Sequence, residues 1–425
     1  MRSSGSALDT WLTRLEAFSP NEIVLGLERV EVLLERLNLP SPRFVFHIAG
    51  TNGKGSSVAM LDAVLRQSGM LVGSYTSPHL VRYNERIRVN GGEAADADIV
   101  AAFERIEAVR DDVPLTYFEY GTLAALLVFA EAGVEAAILE IGMGGRLDAV
   151  NAVEPTAGLI TNVALDHCEW LGHDIETIGF EKAGIMRPGK TTVFASAEVP
   201  RSIVQHAQAS GASLVVAARD YAWSGDGETW SWRGIKHQLH GLERPALVGD
   251  IQLQNAAGVL ALLEAAGLID LLHEDLINNA LRDVQLDGRA QLVSMGGNWL
   301  LDVAHNPAAA RTLAATLETL APSEPMVAVI GMLNDKDVES TVTALKNSVD
   351  RWIAVTADNP RAIPAQVLGR RVAKVCDCSC LIADSLSQAL DQARRVAGTD
   401  GLVLITGSFY IVGPALEALK IYSPR

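Results

Sequence analysis

The stretch Ala49-Gly50-Thr51-Asn52-Gly53-Lys54-Gly55-Ser56-Ser57 decides how this chain is read. An apolar run, Phe44-Val45-Phe46-His47-Ile48, precedes it, and Val58, Leu61 and Leu65 follow at helical spacing. Strand, glycine-rich turn and helix form the setting in which backbone N–H groups and a helix N-terminus cradle phosphates. Lys54 then reaches the outer phosphates, and the hydroxyl of Ser56 or Ser57 approaches a Mg²⁺. The run departs twice from the usual G-x-x-x-x-G-K-[ST] loop. Ile48 stands in place of the first glycine, and Gly55 separates the lysine from the hydroxyl. The context still makes it a nucleotide site.

Working outward, a first helix is expected over 21–38, capped by Ser19 or Asn21. Strand-like runs at 44–48, 72–75, 136–141, 158–161 and 191–195 then alternate with helical segments at 97–110, 117–132, 174–186 and 200–210. That alternation predicts an α/β domain with a mostly parallel sheet. Residues 219–247 break the rhythm, with Trp223, Trp230 and Trp232 among polar residues and glycines, and read as a short antiparallel meander. Helical spacing returns at 251–267 and 274–284, and Leu286-Asp287-Gly288-Arg289 reads as a hinge. Beyond it, strands near 299–303, 326–330, 351–355 and 402–405 alternate with helices near 307–320, 336–347, 384–397 and 411–420. The expected organisation is a phosphate-loop ATPase-like domain with a small antiparallel extension over 1–288, and a smaller Rossmann-like α/β domain over 289–425.

Composition agrees with two domains, since 425 residues are many for one core. Hydrophobic residues make up 49% and charged residues 20%, as in ordinary globular enzymes. No uninterrupted apolar stretch is long enough to span a bilayer, and four cysteines do not suggest a disulfide framework, so a cytoplasmic protein is expected. A formal charge of −16 argues against non-specific nucleic-acid binding. It also means that an anionic ligand needs a local cationic lining, for which Lys54, Arg82, Arg86, Arg88, Arg146 and Arg289 are candidates.

Several residues admit a chemical and a bland reading. Ser77 follows a strand-like run, where open α/β sheets place ligands, yet a serine before proline is often a turn residue. Glu140 ends an otherwise apolar strand, so its carboxylate needs a cation or a structural partner. His167 follows another strand, Lys182 has the setting of a solvated helical lysine, and Asn255 that of a helix-surface amide. Phe118 reads as core. Cys376, Cys378 and Cys380 would share one face if their segment were a strand, but they lack a fourth ligand and have the wrong spacing for zinc.

The G-T-N-G-K-G-S form also occurs in the Mur-type ATP-dependent amide ligases, and four further segments narrow the resemblance. They are Tyr75-Thr76-Ser77-Pro78-His79-Leu80, Leu115-Thr116-Tyr117-Phe118-Glu119-Tyr120-Gly121-Thr122, Glu140-Ile141-Gly142-Met143-Gly144-Gly145-Arg146-Leu147-Asp148 and Asp302-Val303-Ala304-His305-Asn306-Pro307. With these in order, the chain closely resembles the folylpolyglutamate synthase family, especially its bacterial bifunctional branch, from about residue 20 onward. The resemblance implies ATP binding by Gly50, Thr51, Asn52, Gly53, Lys54, Gly55 and Ser56, with Asn255, Arg289 and Asp302. It implies metal ligation by Ser77, Glu140 and His167. Thr116, Tyr117, Phe118 and Glu119, with Leu147, Asp148 and Ala149, match positions that hold the pterin-bearing substrate. Lys54, His167 and Lys182 are the catalytic candidates, and Lys182 matches a lysine that CO₂ carbamylates in related ligases.

The function implied is ATP-dependent addition of L-glutamate to 7,8-dihydropteroate and to reduced folates through an acyl phosphate. The cofactor expected is Mg²⁺, as two ions with ATP, with a monovalent cation as a further candidate; the protein is expected to be a monomer. Folylpolyglutamate synthesis alone is one alternative. A cell-wall Mur ligase is another, although only about 48 residues precede the loop, too few for an added UDP-binding domain. A non-catalytic ATP-gated module fits poorly with the retained Lys54, Ser77, Glu140 and His167. Gly55 and the second α/β domain disfavour a GTPase or a phosphotransferase.

Overall fold

The computed structural model describes residues 6–18, 24–320 and 325–424. Eight strands form the first sheet: β1 (Phe44–Ala49), β2 (Val72–Tyr75), β3 (Ile87–Val89), β4 (Gly92–Glu93), β5 (Ala136–Glu140), β6 (Ala157–Ile160), β7 (Thr191–Phe194) and β8 (Ser213–Val216). Their order is β4-β3-β2-β5-β1-β6-β7-β8. The six strands from β2 to β8 in that order run parallel, and β3 and β4 add an antiparallel edge. β1 lies centrally, so the loop after it opens at the carboxyl edge of the sheet, where α/β folds bind ligands.

Strand periodicity separates two apolar layers. Val45 and Ala49 face helices Asp96–Arg110 and Tyr117–Ala132, whereas Phe46 and Ile48 face helices Lys54–Gln67, Ile251–Ala265 and Glu274–Arg282. The meander is a separate sheet of β9 (Ala222–Asp226), β10 (Thr229–Arg233) and β11 (Gln238–Glu243). It buries Trp230 and Trp232 in the second layer. Their indole N–H groups donate to the carbonyls of Glu243 at 3.0 Å and Ala257 at 3.2 Å, which makes such burial affordable.

A second sheet contains β12 (Gln291–Ser294), β13 (Asn298–Leu301), β14 (Met326–Ile330), β15 (Arg351–Val355), β16 (Cys380–Ala383) and β17 (Leu402–Thr406), in the order β12-β13-β17-β14-β15-β16. Only β12 is antiparallel to its neighbour. Helices cover both faces. The mixed α/β architecture, two main sheets with a small antiparallel extension, is the one expected.

Several elements differ from expectation. The early helix spans Glu28–Leu37, because Gly26 adopts φ +143° and its N–H is held by the Leu147 carbonyl at 3.2 Å. The expected caps Ser19 and Asn21 lie outside the described residues. Helix Ala7–Phe18, the β3–β4 hairpin, β8, β12, helix Ala365–Cys376 and β16 are additional. The last two correct the cysteine reading. Cys376 ends a helix, Asp377 turns the chain at φ +49°, and Cys380 begins β16, so the three thiols do not share a strand face. Among the described residues no group of three or more His, Cys, Asp or Glu side chains is placed to hold a metal.

His47 has a measurable consequence. It sits fully buried in β1, and neither ring nitrogen has a hydrogen-bond partner. Burial, reinforced by Arg187, pushes its pKa down to about 3. Above pH 6.5 the ring is neutral folded or unfolded and contributes nothing. As pH falls from 6.5 towards 3, only the unfolded chain takes up the proton, at a cost to stability of about 1.4 kcal/mol per pH unit. Urea unfolding at pH 7 and pH 5 should show a smaller acid loss for His47→Leu than for wild type. Equal losses would mean that His47 is not the titrating group.

Candidate functional site

A cleft of ≈ 600 Å³ opens between the two sheets, lined from both. Lys54, Ser77, Glu140, His167, Lys182, Asn255, Arg289 and Asp302 all border it, with Gly50 through Ser56. The sequence separates these residues widely; the carboxyl edges of the strands bring them together.

The loop geometry requires its glycines. Gly50 has φ +145°, and a Cβ there would stand 1.8 Å from Thr161 Oγ1. Gly53 has φ +85°, and its Cβ would meet Asn255 Oδ1 at 2.7 Å. Gly53 caps helix Lys54–Gln67 without a side-chain cap bond, so first-turn N–H groups are left for an anion. Lys54 Nζ donates to the carbonyls of Gly50 at 3.1 Å and Thr51 at 3.3 Å and lies 4.0 Å from Glu140 Oε1. Lys182 Nζ donates to the same Gly50 carbonyl at 3.0 Å. Two amines therefore converge on one oxygen. Burial first, then the Lys54 charge, pushes the Lys182 pKa down to about 7.

Glu140 ends β5 as a buried carboxylate, with Oε2 accepting from the Ser77 N–H at 3.2 Å. Burial raises its pKa and Lys54 opposes that shift. His167 stands in a left-handed turn at φ +51°, and burial pushes its pKa down to about 4, leaving a neutral imidazole able to ligate. Asn255 is buried rather than surface, donating to Gln252 Oε1 at 2.9 Å beside the loop. Arg289 stacks over Phe409 with its guanidinium carbon 5.2 Å from the ring centre. Asp302 accepts from the N–H groups of Ala290 and Ala304, both at 2.8 Å.

The substrate-loop residues do not line this cleft. Thr116 and Glu119 form a capping box on helix Tyr117–Ala132, and Glu119 pairs with Arg29 at 2.8 Å. Asp148 accepts from Met143 and Val150 N–H groups, Ala149 is buried, and the Leu147 carbonyl binds Gly26. Tyr117 and Phe118 are only partly buried, and Phe118 packs against Gly142, whose neighbours Met143 and Gly144 do reach the cleft. Of the expected cationic lining, Arg82 is drawn off by Glu93 and Asp96, and Arg146 by Glu181. Arg88 borders a second, adjoining cleft of ≈ 490 Å³.

The second domain supplies what sequence reasoning missed. Arg311, Lys336 and Arg361 border the cleft. Asp166 accepts from Lys336 Nζ at 2.5 Å and Asn306 Nδ2 at 2.9 Å, and lies 3.2 Å from His305 Nε2. Its burial alone would raise the pKa, but His305 and Lys336 hold it well below the usual carboxylate range. Asn52 and Asn306 exchange amide hydrogen bonds at 3.0 and 3.3 Å. The domains are thus joined by polar bonds at the site itself. The turn Asn334-Asp335-Lys336 after β14 carried the one legible signal, a lysine past a parallel strand.

Known proteins share this fold. Residues 48–263 match the Mur ligase middle domain, and residues 288–409 the Mur ligase, glutamate ligase domain. The dihydrofolate synthase/folylpolyglutamate synthase of Escherichia coli (strain K12) is 40% identical over 417 residues, covering 98% of this chain and 96% of that protein. Its counterpart in Bacillus subtilis (strain 168) is 32% identical over 419 residues, with 93% and 95% covered. Among solved structures, E. coli FolC in complex with DHPP and ADP matches with a TM-score of 0.93 at 40% identity, over 99% of both chains. A bifunctional folylpolyglutamate synthase/dihydrofolate synthase with Mn, AMPPNP and L-glutamate bound matches with a TM-score of 0.89 at 40% identity, over 98% of both.

Proposed function

The chain belongs to the Mur ligase family, in its dihydrofolate synthase/folylpolyglutamate synthase branch, and on that premise we propose that it joins L-glutamate to 7,8-dihydropteroate and to reduced folates, driven by ATP. The observation that carries this reading is the single cleft in which Lys54, Glu140, Lys182, Arg289 and Asp302 converge from both domains. An acceptor carboxylate oxygen attacks the γ-phosphorus, and ADP leaves with its bridging oxygen. The glutamate amino nitrogen then attacks the acyl carbon and loses a proton, and inorganic phosphate departs. No side-chain nucleophile is needed. The chain positions the reactants and neutralises their charge.

Lys54 and the first-turn N–H groups suit the ATP phosphates. On the opposite wall Arg311 suits a carboxylate of glutamate, beside Lys336 and Arg361, which already pair with Asp166 and Asp335 and add positive field there. The side chains of Ser77, Glu140 and His167 offer a hydroxyl, a carboxylate and an imidazole to a divalent ion. That set is too small to hold a hard cation alone, and it fits Mg²⁺ whose other positions are taken by phosphate oxygens and water. Bound there with ATP, Mg²⁺ supplies further neutralisation of phosphate charge. Thr116 to Glu119 and Leu147 to Ala149 then act as the wall against which Phe118 presents its ring to a pterin.

The test is ADP release by purified protein with ATP, glutamate and each of dihydropteroate, tetrahydrofolate or a UDP-muramoyl acceptor. Both folate-type acceptors should support release. Tetrahydrofolate alone would narrow the activity to folylpolyglutamate synthesis, and release only with the UDP-linked acceptor would overturn the reading. Glu140→Gln should raise the Mg²⁺ concentration for half-maximal turnover by roughly tenfold or more and lower kcat. An unchanged Mg²⁺ titration would leave Glu140 as the structural partner of Lys54.

A further inference from the structure

One buried charge has no part in the chemistry above. Arg86 closes the 3₁₀ turn Tyr83–Arg86 and is only 9% exposed. Its Nε donates to His79 Nδ1 at 2.8 Å. The guanidinium carbon lies 5.4 Å from the centre of the Tyr83 ring and 5.6 Å from that of Tyr117. Among the described residues it forms no ion pair with a carboxylate; four tyrosines and, at longer range, the buried Glu140 feel its charge. Its neighbours in sequence differ, since Arg82 and Arg88 both pair with Glu93. A buried ion normally keeps a counter-ion, and aromatic faces replace one only in part. The fold therefore holds a buried cation here with no carboxylate in direct contact.

Its position says what the missing anion is. The Arg86 carbonyl accepts from the Thr76 N–H at 2.9 Å, which ties the turn to the residue before Ser77. The guanidinium acts electrostatically on Glu140 and Tyr410, both of which border the main cleft. On its other side, Tyr117 precedes Phe118 in the aromatic loop. Arg86 itself borders neither cleft, but it packs on Tyr117 of the aromatic loop on one side and faces groups that border the reacting end on the other. ATP has Lys54 and Arg289 there, and glutamate has the second-domain cations. A reduced folate brings one more anion. Its terminal glutamyl residue carries the γ-carboxylate that is activated and an α-carboxylate that is not. A pteroate has a single carboxylate, and that one reacts.

We infer that Arg86 is the counter-ion for the bystander α-carboxylate of a folyl acceptor, and so a residue that favours folates over acceptors lacking that group. The inference rests on the ligase reading. A guanidinium fork matches a carboxylate with two parallel hydrogen bonds, which a lysine cannot reproduce.

The experiment is equilibrium binding in the presence of AMPPNP and Mg²⁺, comparing tetrahydrofolate with an analogue in which 4-aminobutyrate replaces the glutamyl residue and only the α-carboxylate is lost. Wild type should prefer tetrahydrofolate by about tenfold or more, the scale of a charge-assisted hydrogen-bonded pair. Arg86→Gln should hold the two ligands within about threefold of each other. Arg86→Lys should lose at least about threefold of the preference, and it decides the matter if the glutamine variant does not fold. No preference in wild type, or an unchanged preference in the folded variants, would overturn the inference. Binding does not require turnover, so wild-type protein that discriminates between the ligands yet releases no ADP would count against the ligase reading alone.

Discussion

Replacing Lys54 with alanine is expected to lower turnover roughly 10²- to 10³-fold or more with every acceptor, while the fold survives. Both parts follow from where Nζ lies. Its two hydrogen bonds go to loop carbonyls, Gly50 and Thr51, and its nearest acid is Glu140 at 4.0 Å. Those contacts leave the ammonium free to exchange a carbonyl for a phosphate, since a carbonyl accepts less strongly than an oxyanion. The loop does not depend on Lys54 for its shape. Gly50 O keeps its bond to Lys182, the Thr51 N–H keeps the Asn162 carbonyl at 3.1 Å, and Thr161 Oγ1 still donates to the Asn52 carbonyl at 2.6 Å. ADP release should therefore collapse while the melting temperature moves by only a few degrees. Activity within a few-fold of wild type would remove the phosphate-loop reading.

What could be read from the sequence, and what could not, divides by range. The loop announced itself because its requirement is local: glycines at positive φ between a strand and a helix. That Glu140 needs a cation or a polar partner was legible because its carboxylate closes an apolar strand, and the structure sets Lys54 4.0 Å from it. The capping box at Thr116 and Glu119 was equally local, a T-x-x-E pattern before an apolar run, although a substrate role drew attention away from it. The second wall was not legible. Nothing near Lys336 in sequence shows that it meets Asp166, because that contact exists only once two sheets face each other. The cationic lining shows the same limit from the other side. Arg82, Arg86 and Arg146 lie in or beside the motifs, yet two of the three are held by nearby carboxylates that the fold supplies.

Lys182→Ala is the second substitution with a large expected effect, again roughly 10²-fold or more, and for a different reason. Lys182 is 3% exposed, and burial holds its amine's pKa down at about 7. At neutral pH a sizeable share of it is therefore uncharged, against only about a few parts in ten thousand for a lysine at its reference value. Only the neutral amine can attack CO₂, forming an N–C bond and releasing a proton, which leaves a carbamate. The site is thus set up for the reaction, in a cleft where the product would offer two hard oxygen donors to Mg²⁺. Stability argues the same way. A lysine whose folded pKa lies below its unfolded one loses stability as pH falls from about 10 to 7, so at neutral pH the unmodified side chain works against the fold. Removing it should not unfold the protein, and the loss of activity can be read directly. Acetate should restore part of the Lys182→Ala activity by supplying the missing oxygens, and chloride at equal ionic strength should not. Intact mass of active wild-type protein, handled without acid or CO₂ removal, should show the added carboxyl group. A bare lysine in fully active enzyme would refute the carbamate, and equal effects of acetate and chloride would reduce Lys182 to a tether for the Gly50 carbonyl.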